Sequence, residues 1–351
     1  MKSLSDYLLA LQAALPGDGP GFSALLVRDG QPLFELHHGL ACMEMGVPLS
    51  GTSRYYLASE SKQFTAACAL DLVRRGAIGL DDDVRAHLAN IRQMPLPISL
   101  RHLLNHSSGI PDYLSCIGYQ LGRHESDYFD ERIISELIRK FDETEFPSGT
   151  RHDYSNSNYI LLAQLVEALS GQPLAAYARA LLFAPLNMHA TGYDEERHSI
   201  MPGRVRSYTR DPARPFGYKL ELGNASTIGD GGLYSCTADL LLWEREWHRQ
   251  YADTGSLIHA LLQASPDQDG VSHPYRFGLE WARHEEFDYV FHGGCLWGFN
   301  TLIVRVPQAG VSVILLSNSD SLEPEPDAIM QAVCADLRAE QQAASIAIGA
   351  A

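Results

Sequence analysis

The apolar and polar positions of the chain divide it into three zones. In the first zone, two short runs with the pattern of β-strands cover Phe22 to Arg28 and Pro32 to His37. Asp29-Gly30 lies between them and predicts a hairpin. The residues before these runs predict an amphipathic helix that ends at Pro16-Gly17.

The middle zone has mostly helical periodicity. Phe64, Ala67, Leu70 and Val73 recur on one side of a predicted helix over 60–75. Further helices are predicted over 99–106, 130–141, 157–170, 174–183 and 237–250, with loops such as 107–112 and 200–233 between them.

The third zone returns to the pattern of strands. Strands are predicted over Arg276–Arg283, Phe287–His292, Asn300–Val306 and Val311–Ser317, and a last helix from Asp327 to about Glu340. The residues after Glu340 are small and apolar without a clear pattern, and we expect them to be disordered.

The connections between neighbouring strands are too short for parallel crossovers. We therefore expect an α+β fold, with an antiparallel sheet from both chain ends flanked by helices and a mostly helical inserted domain. The predicted domains are residues 1–80 with 235–340 for the sheet, 81–234 for the helical part, and 341–351 as a tail. A functional site would lie in the crevice between the two domains.

Composition and charge narrow the classes of function. The chain has 351 residues, 45% of them hydrophobic, and a formal net charge of −16. Such a negative field repels phosphate groups, so we expect neither nucleic acid nor a membrane as a partner. The six cysteines form no CxxC pair, and neither a secretory leader nor an apolar run of bilayer length is present. These features predict a cytoplasmic protein with reduced thiols, and they leave the oligomeric state open.

The first candidate for chemistry is Ser59-Glu60-Ser61-Lys62, at the start of a predicted helix. Backbone N–H groups are unpaired there, so that of Ser59 can stabilise an oxyanion. Lys62 follows one turn later, and its apolar neighbours would lower its pKa. A neutral amine could then activate the Ser59 hydroxyl as a nucleophile. A serine cap followed by a solvated lysine explains this motif alone equally well.

The second candidate is Tyr154-Ser155-Asn156, immediately before the helix predicted over 157–170. Beside a lysine ammonium, the phenolate of Tyr154 is favoured and could act as a base. Asn156 offers a donor and an acceptor to a substrate amide or to the lysine. The alternative is a turn in which Ser155 and Asn156 cap the helix, and the two interpretations are compatible.

The third candidate is His292-Gly293-Gly294-Cys295, predicted at the end of a strand. Glycines there would let a substrate backbone approach, and the N–H of Cys295 could be a second oxyanion donor. His292 could position a substrate group or tune the tyrosine and lysine. A His-x-Gly pattern is weak alone, since it also occurs at His37-His38-Gly39.

The remaining motifs are weaker evidence for a function. His102 and His106 have the spacing of a helical metal pair, but no H-E-x-x-H pattern completes it, and a capping role for His106 is favoured. We therefore expect neither a metal nor a cofactor. The chain contains no G-x-S-x-G or P-loop motif. Trp297 and Phe299 either line a pocket or pack within strands.

The three motifs in this order resemble the serine β-lactamase and penicillin-binding protein superfamily. The closest branch is similar to class C β-lactamases and their esterase, D-amino-acid peptidase and acyltransferase relatives. Further stretches that match are Leu103 to Ile110, Gly231 to Ser235 and Phe277 to Leu279. The resemblance covers about residues 20–337 and implies the same sheet and helical domain.

The resemblance also implies roles for the site residues. Ser59 would be the nucleophile, Lys62 its partner, and Tyr154 the general base or acid. Asn156 would contact Lys62 and the substrate, and the N–H groups of Ser59 and Cys295, beside Gly294, would form the oxyanion hole. His292 stands where β-lactamases carry a lysine that binds a substrate carboxylate. Because His292 is mostly neutral at pH 7, we do not expect a dedicated antibiotic-resistance enzyme.

The predicted function is thus a cofactor-free serine hydrolase that forms an acyl-enzyme with a small ester or amide substrate. A transacylase or cyclase would use the same intermediate and pass the acyl group to an amine or alcohol. A non-catalytic binding protein on this scaffold is the remaining alternative, and it should have lost part of the machinery.

Overall fold

The computed structural model describes residues 3–121, 127–194, 199–264 and 273–349. The α-helices of these residues are α1 (Leu4–Ala14), α2 (Lys62–Arg74), α3 (Leu100–Leu104), α4 (Tyr113–Leu121), α5 (Glu131–Ile138), α6 (Asn156–Ser170), α7 (Leu174–Ala178), α8 (Thr237–Gln250), α9 (Leu257–Leu261) and α10 (Pro326–Gly349). Short 3-10 turns cover Ala58–Ser61, Val84–Ala86 and Pro307–Ala309, and a π-helical turn covers Arg179–Phe183.

The strands of the described residues are β1 (Phe22–Arg28), β2 (Gln31–His38), β3 (Leu40–Cys42), β4 (Val47–Pro48), β5 (Tyr55–Tyr56), β6 (Phe129–Asp130), β7 (Gly192–Tyr193), β8 (Ser207–Arg210), β9 (Tyr218–Glu221), β10 (Ala225–Ser226), β11 (Leu233–Ser235), β12 (Glu280–His284), β13 (Phe287–Leu296), β14 (Phe299–Val306) and β15 (Val311–Ser317). Six of them form the main sheet in the order β12-β13-β14-β15-β1-β2, and every neighbouring pair is antiparallel. The predicted α+β fold with an antiparallel sheet from both chain ends is confirmed.

Alternation along the central strands gives each face of the sheet its own apolar layer. On β14, Leu302 and Val304 belong to the layer under α1 and α10, whereas Ile303 belongs to the layer that contains α2 and α8. Thr301 and Arg305 also point to this second side, where they contact Leu57 and Glu244. The second face therefore supports the turn that carries Ser59.

A smaller sheet fixes the chain just before that turn. β11 pairs with β5 and β7 on its two sides, and the Leu57 N–H donates to the Leu233 carbonyl at 2.8 Å. The segment that precedes Ser59 is thus held between the small sheet and the main sheet.

Two strand boundaries differ from the predictions by four residues, and the other differences are of one residue. β12 begins four residues later than predicted because Arg276 N–H donates to Leu279 O at 2.6 Å, and Gly278 between them has a left-handed φ of +79°. β13 runs past the predicted end at His292, because its pairing with β14 continues to Leu296 opposite Phe299.

The predicted helices are present: α8 has the predicted bounds, α6 and α10 are longer, and the others are shorter. Other helical segments were not predicted. α4 occupies part of what the sequence indicates as loop, and α9 follows α8. The predicted disorder after Glu340 is wrong for the backbone, since α10 continues to Gly349. No helix in the described part of the chain has both the length and the apolar character needed to cross a lipid bilayer. The predicted domain bounds and the cytoplasmic location stay predictions.

Candidate active site

Ser59 lies in a 3-10 turn that leads directly into α2. Ala58, the residue before it, has a left-handed φ of +49°, a conformation that costs free energy unless neighbours hold it. Two hydrogen bonds hold this turn. The Ser61 hydroxyl donates to the Ala58 carbonyl at 2.6 Å, and the Thr301 hydroxyl donates to the Leu57 carbonyl at 2.9 Å. Ser59 itself remains half-buried, with its hydroxyl next to Lys62.

The Lys62 side chain is fully buried and has three acceptors around its amine. Nζ lies 2.9 Å from Ser59 Oγ, 2.9 Å from Asn156 Oδ1 and 2.7 Å from the Asp230 carbonyl oxygen. Burial lowers the pKa of Lys62 to about 8, and the negative charges of Asp230 and Asp112 oppose this shift. A substantial fraction of the Lys62 amine is therefore neutral near pH 7. The pKa of Lys62 is lowered, as the sequence predicts.

Asn156 is the first residue of α6, and a carboxylate from another segment caps that helix. Asp112 Oδ1 accepts the N–H of Asn156 at 2.7 Å. Ser155 makes no side-chain capping bond, and its Oγ is buried without a hydrogen-bond partner among the described residues. The predicted cap by Ser155 and Asn156 is wrong, because the Ser155 side chain accepts no N–H of the first turn and Asn156 Oδ1 accepts from Lys62 instead. The Asn156 side chain is therefore directed to Lys62.

Tyr154 lies over the lysine, with one edge of its ring open to solvent. The residue is 36% exposed, and the centroid of its ring lies 5.0 Å from Lys62 Nζ. Burial of the phenol end raises the pKa of Tyr154 well above its ordinary value, although its interaction with the Ser59 side chain lowers it somewhat. The predicted phenolate is therefore disfavoured, because desolvation favours the neutral phenol. The neutral phenol can still donate a proton.

His106 supports the position of Tyr154. It has a left-handed φ of +57°, its ring stacks on that of Tyr154 with centroids 4.2 Å apart, and its Nδ1 accepts the N–H of Ser155 at 3.2 Å. His106 also caps the C-terminal end of α3, as predicted, because its N–H donates to the Leu103 carbonyl at 3.5 Å and the N–H of Ser107 donates to the His102 carbonyl at 2.9 Å. At the other end of α3, His102 Nδ1 accepts the Ser99 N–H at 3.2 Å.

His292 lies behind Tyr154 and contributes nothing to the wall of the cleft described below. It is 3% exposed, and the centroids of the two rings are 6.3 Å apart. Its Nδ1 lies 2.6 Å from the Gly293 carbonyl, so Nε2 is the acceptor for the Tyr275 hydroxyl at 3.0 Å. Burial lowers the pKa of His292 to about 3, with the Lys62 charge as a second cause. The ring is therefore neutral at physiological pH.

Gly294 and Cys295 bring β13 against the Ser59 turn. A Cβ atom at Gly294 would lie 2.2 Å from the Leu57 carbonyl oxygen and 3.1 Å from the Ala58 Cβ, so only glycine fits at this position. The next residue, Cys295, is exposed and lines the same cleft as Ser59. The structure thus brings together Ser59, Lys62, Tyr154, Asn156 and Cys295.

The cleft in front of Ser59 has a volume of about 310 Å³. Its walls are mostly apolar and aromatic, and they include Tyr56, Tyr113, Leu114, Ile117, Phe129, Leu296 and Trp297. Trp297 stacks on Tyr56 with ring centroids 5.1 Å apart, so it lines the pocket. Phe299 instead lies in the core, 4% exposed, against Tyr55 and Tyr56.

Sequence reasoning missed Asp230 and Tyr113, which lie in the same cleft. The Tyr113 hydroxyl donates to Asp230 Oδ2 at 2.8 Å, while Asp230 Oδ1 is buried without a hydrogen-bond partner among the described residues. A signal for Asp230 was available, since an acidic residue between Gly229 and the pair Gly231-Gly232 is unusual beside apolar segments. Tyr113 offered none, because its position in a helix was not predicted.

Among the described residues, one group has the side chains and the proximity to hold a metal ion. His284, Glu285 and Cys334 lie at the turn between β12 and β13 and on α10. Glu285 is already paired with Arg338, whose positive charge opposes a cation. This group is not part of the cleft around Ser59.

Comparison with known proteins relates the whole arrangement to one family. A family model described as Beta-lactamase matches residues 11–336. A D-aminopeptidase of Gluconobacter oxydans (strain 621H) is 28% identical over 318 residues. That alignment covers 90% of this chain but only 59% of the longer relative.

Two solved structures share the fold. The octameric penicillin-binding protein homologue from Pyrococcus abyssi has a TM-score of 0.79 at 23% identity, covering 96% of this chain and 77% of that one. The D-amino acid amidase from Ochrobactrum anthropi SV3, complexed with D-phenylalanine, has a TM-score of 0.77 at 20% identity. The match covers 95% of this chain and 99% of the amidase. At these identities, the two structures establish the fold.

Proposed function

The chain belongs to the beta-lactamase family, and on this basis we propose that it is a serine hydrolase that cleaves amide bonds through an acyl-enzyme on Ser59. The observation that carries the proposal is the distance of 2.9 Å between Ser59 Oγ and the amine of a fully buried Lys62. A buried amine of lowered pKa next to a hydroxyl is the arrangement that makes a serine nucleophilic.

In the first half of the reaction, neutral Lys62 accepts the Ser59 proton while Oγ attacks the substrate carbonyl carbon. The N–H groups of Ser59 and Cys295 would stabilise the oxyanion that forms. When the carbon–nitrogen bond breaks, the leaving amine takes a proton from Lys62 or from the Tyr154 phenol. The acyl group then remains on Ser59 as an ester.

In the second half, water attacks this ester and gives its proton to whichever of Lys62 and Tyr154 lost its proton to the amine. The carbon–oxygen bond to Ser59 breaks, Oγ takes a proton from the protonated Lys62, and the acid product leaves. Asn156 keeps the Lys62 amine directed at Ser59 through its 2.9 Å hydrogen bond. No step requires a metal or a cofactor.

The substrate class follows from the relatives and from the cleft. The D-aminopeptidase and the D-amino acid amidase make amides and short peptides of D-amino acids the first substrates to consider. A cleft of about 310 Å³ with apolar walls suits one small acyl group with an apolar side chain.

The test compares wild-type protein with Ser59→Ala on phenylalaninamide of both hands and on a p-nitrophenyl ester. We expect Ser59→Ala to lose activity by at least ~10³-fold, because no other described hydroxyl is next to Lys62. Ser170→Ala serves as the matched control, since its hydroxyl bonds only to the exposed backbone of Gln172, donating to its carbonyl and accepting its N–H. Intact-protein mass spectrometry should detect the acyl group on the wild type alone. Equal activity of Ser59→Ala and wild type would refute the proposal.

A further inference from the structure

A second cavity lies beside the cleft in front of Ser59, and we call it the second chamber. It has a volume of about 220 Å³, compared with about 310 Å³ for the cleft. Among the described residues, four line both cavities: Tyr56, Ala225, Thr227 and Trp297. The two spaces are therefore adjacent, and the aromatic pair of Tyr56 and Trp297 stands between them.

The walls of the second chamber differ in chemistry from those of the cleft. Beyond the aromatic pair they include Asp194, Arg204, Leu222, Ser226 and Tyr234. The Arg204 guanidinium is paired with Asp194 at 2.8 Å and lies over the Tyr234 ring, with Cζ 4.9 Å from the ring centroid. Ser59 does not line this chamber. The chamber therefore offers room for the distal end of a bound group, while the reaction stays in the cleft.

Trp297 occupies a backbone position that is unfavourable for a tryptophan. Leu296 and Phe299 are the last pair of β13 and β14, so Trp297 and Gly298 form a two-residue hairpin turn. Both have a left-handed φ, +49° at Trp297 and +76° at Gly298. Such turns favour asparagine, aspartate or glycine, and a bulky side chain there costs free energy. A strained residue of this kind points to a role for the side chain that it presents.

Three contacts fix the Trp297 ring between the two cavities. Its Nε1 donates to Asn224 Oδ1 at 3.0 Å, and its ring packs on that of Tyr56 with centroids 5.1 Å apart. The backbone of Gly223 lies so close that a Cβ there would be 3.0 Å from Trp297 Cε3. Tyr56 is itself 4% exposed, and its hydroxyl accepts the Gly232 N–H at 3.3 Å. Both halves of the aromatic pair are thus held in place.

The acyl half of a substrate would occupy the cleft that this pair closes. Ser59 and Trp297 line the cleft, whereas Tyr154, a proton donor for the leaving amine, does not. The leaving group would therefore depart on the side of Tyr154, and the acyl group would extend along the cleft. An acyl chain that continues towards the second chamber meets the Trp297 ring, because that ring lines both cavities.

We propose that Trp297 determines the length of the acyl group that this site accepts, because its ring closes the cleft against the second chamber. The proposal rests on the proposed function, which places the acyl group on Ser59. The site then selects esters and amides of short acyl groups. Removal of the indole ring should join the two cavities and admit longer acyl chains.

The first test measures the preference for chain length with p-nitrophenyl butyrate and p-nitrophenyl octanoate. The ratio of the two kcat/KM values within one protein is used, because a general loss of catalysis affects both esters. For wild type we expect an octanoate-to-butyrate ratio at or below ~1. For Trp297→Ala we expect this ratio to rise by at least ~10-fold, since each methylene group that leaves water contributes about a fourfold gain.

Two further variants separate the ring from other effects of the substitution. Trp297→Phe keeps a smaller ring against Tyr56 and should raise the ratio by no more than ~3-fold. Trp281→Ala is the matched control, because Trp281 is a partly exposed tryptophan on β12 that lines neither cavity, and its ratio should equal that of wild type.

Three results would overturn the proposal. The first is a ratio in Trp297→Ala within ~2-fold of wild type, and the second is an equal rise in Trp281→Ala. The third needs no variant: a wild-type preference for octanoate of ~10-fold or more would mean that the chain already passes the ring.

Binding to Ser59→Ala separates this proposal from the proposed function, because no acyl-enzyme forms in that background. Calorimetry compares butanamide with octanamide, with and without Trp297→Ala. If Trp297→Ala tightens octanamide relative to butanamide by at least ~10-fold but wild type hydrolyses no ester or amide, the hydrolase proposal fails and the role of Trp297 stands. If wild type hydrolyses the esters and the length preference is the same with and without the ring, the role of Trp297 fails and the hydrolase stands.

Discussion

At the scale of single residues, the protonation state of Lys62 controls the proposed reaction. With a pKa of about 8, roughly a tenth of the molecules carry a neutral Lys62 at pH 7. Because the neutral amine is the form that accepts the Ser59 proton, we expect kcat/KM to rise with pH and to level off above about 8. A series of initial rates from about pH 6 to about pH 10 measures this profile.

The neighbouring groups provide the control for this pH dependence. His292 has a pKa of about 3, so its ionisation falls below the measured range. Asp230 raises the pKa of Lys62, and Asp230→Asn should therefore move the midpoint of the profile to lower pH. A flat profile, or one that falls between about pH 6 and about pH 8, would rule out neutral Lys62 as the base.

The sequence predicted those contacts of the site that join residues close together in the chain. It did not predict contacts between remote segments. Ser59 and Lys62 are three residues apart, so helical geometry alone brings them together. Asp112 and Asp230 come from remote segments, and their positions depend on how α6 and the small sheet pack. The charge state of Tyr154 was mispredicted for the same reason, since its desolvation depends on neighbours such as His106 that sequence does not place.

At the scale of elements, the contact between β13 and the Ser59 turn determines the geometry of the site. We expect Gly294→Ala to lower kcat/KM by at least ~10²-fold, because a Cβ 2.2 Å from the Leu57 carbonyl forces the strand and turn apart. The same overpacking should lower the free energy of unfolding by about 1–3 kcal/mol.

The neighbouring glycine offers a matched control for this substitution. A Cβ at Gly293 would meet nothing closer than the Thr301 carbonyl at 3.7 Å, which is ordinary contact. Gly293→Ala should therefore keep activity within a few-fold and melt close to wild type. Similar losses of activity in the two variants would contradict the role of this contact.

Sequence periodicity predicted most elements but not all of their ends. β15 matches its predicted bounds and β14 begins one residue early, because both are rich in β-branched and apolar residues and the segment from Pro307 to Gly310 separates them. The extension of β13 to Leu296 was not predictable, since residues such as Gly293 and Gly294 have low strand propensity and depend on pairing with β14. α4 was missed because Gly109 and Pro111, just before it, indicate a loop.

At the scale of the whole molecule, the order of strands and helices was enough to predict the architecture. Short connections between strands at both ends of the chain require antiparallel neighbours, and one sheet is the simplest way to pair them. Sequence did not predict that β15 and β1 would join the two ends, with Phe22 opposite Ser317. That register is set by two apolar layers, which need the three-dimensional packing of α2, α8 and α10.

A buried ionic network lies within the layer that contains α2 and α8, beneath the active site. Arg305 on β14 and Glu244 on α8 are almost fully buried and lie 2.6 Å apart at their closest atoms. Arg305 also donates to Gln63 Oε1 at 3.1 Å, and Gln63 donates to Glu60 Oε2 at 2.7 Å. Burial raises the pKa of Glu60 to about 8, although Arg305 opposes this shift. The network therefore joins the sheet and α8 to the turn that contains Ser59.

Removal of one partner from this network should lower the free energy of unfolding more than removal of any surface ion pair. Arg305→Leu leaves the Glu244 carboxylate buried without its cation, and we expect a loss of about 3–5 kcal/mol in the free energy of unfolding, measured by urea denaturation. Arg305→Leu with Glu244→Leu should recover part of this loss, because no uncompensated charge remains. Arg132→Leu breaks the exposed pair with Glu136 on α5 and should cost less than about 1 kcal/mol. If Arg305→Leu lowered the free energy of unfolding no more than Arg132→Leu does, the network would be dispensable for stability. Apolar packing alone would then hold the sheet against α8.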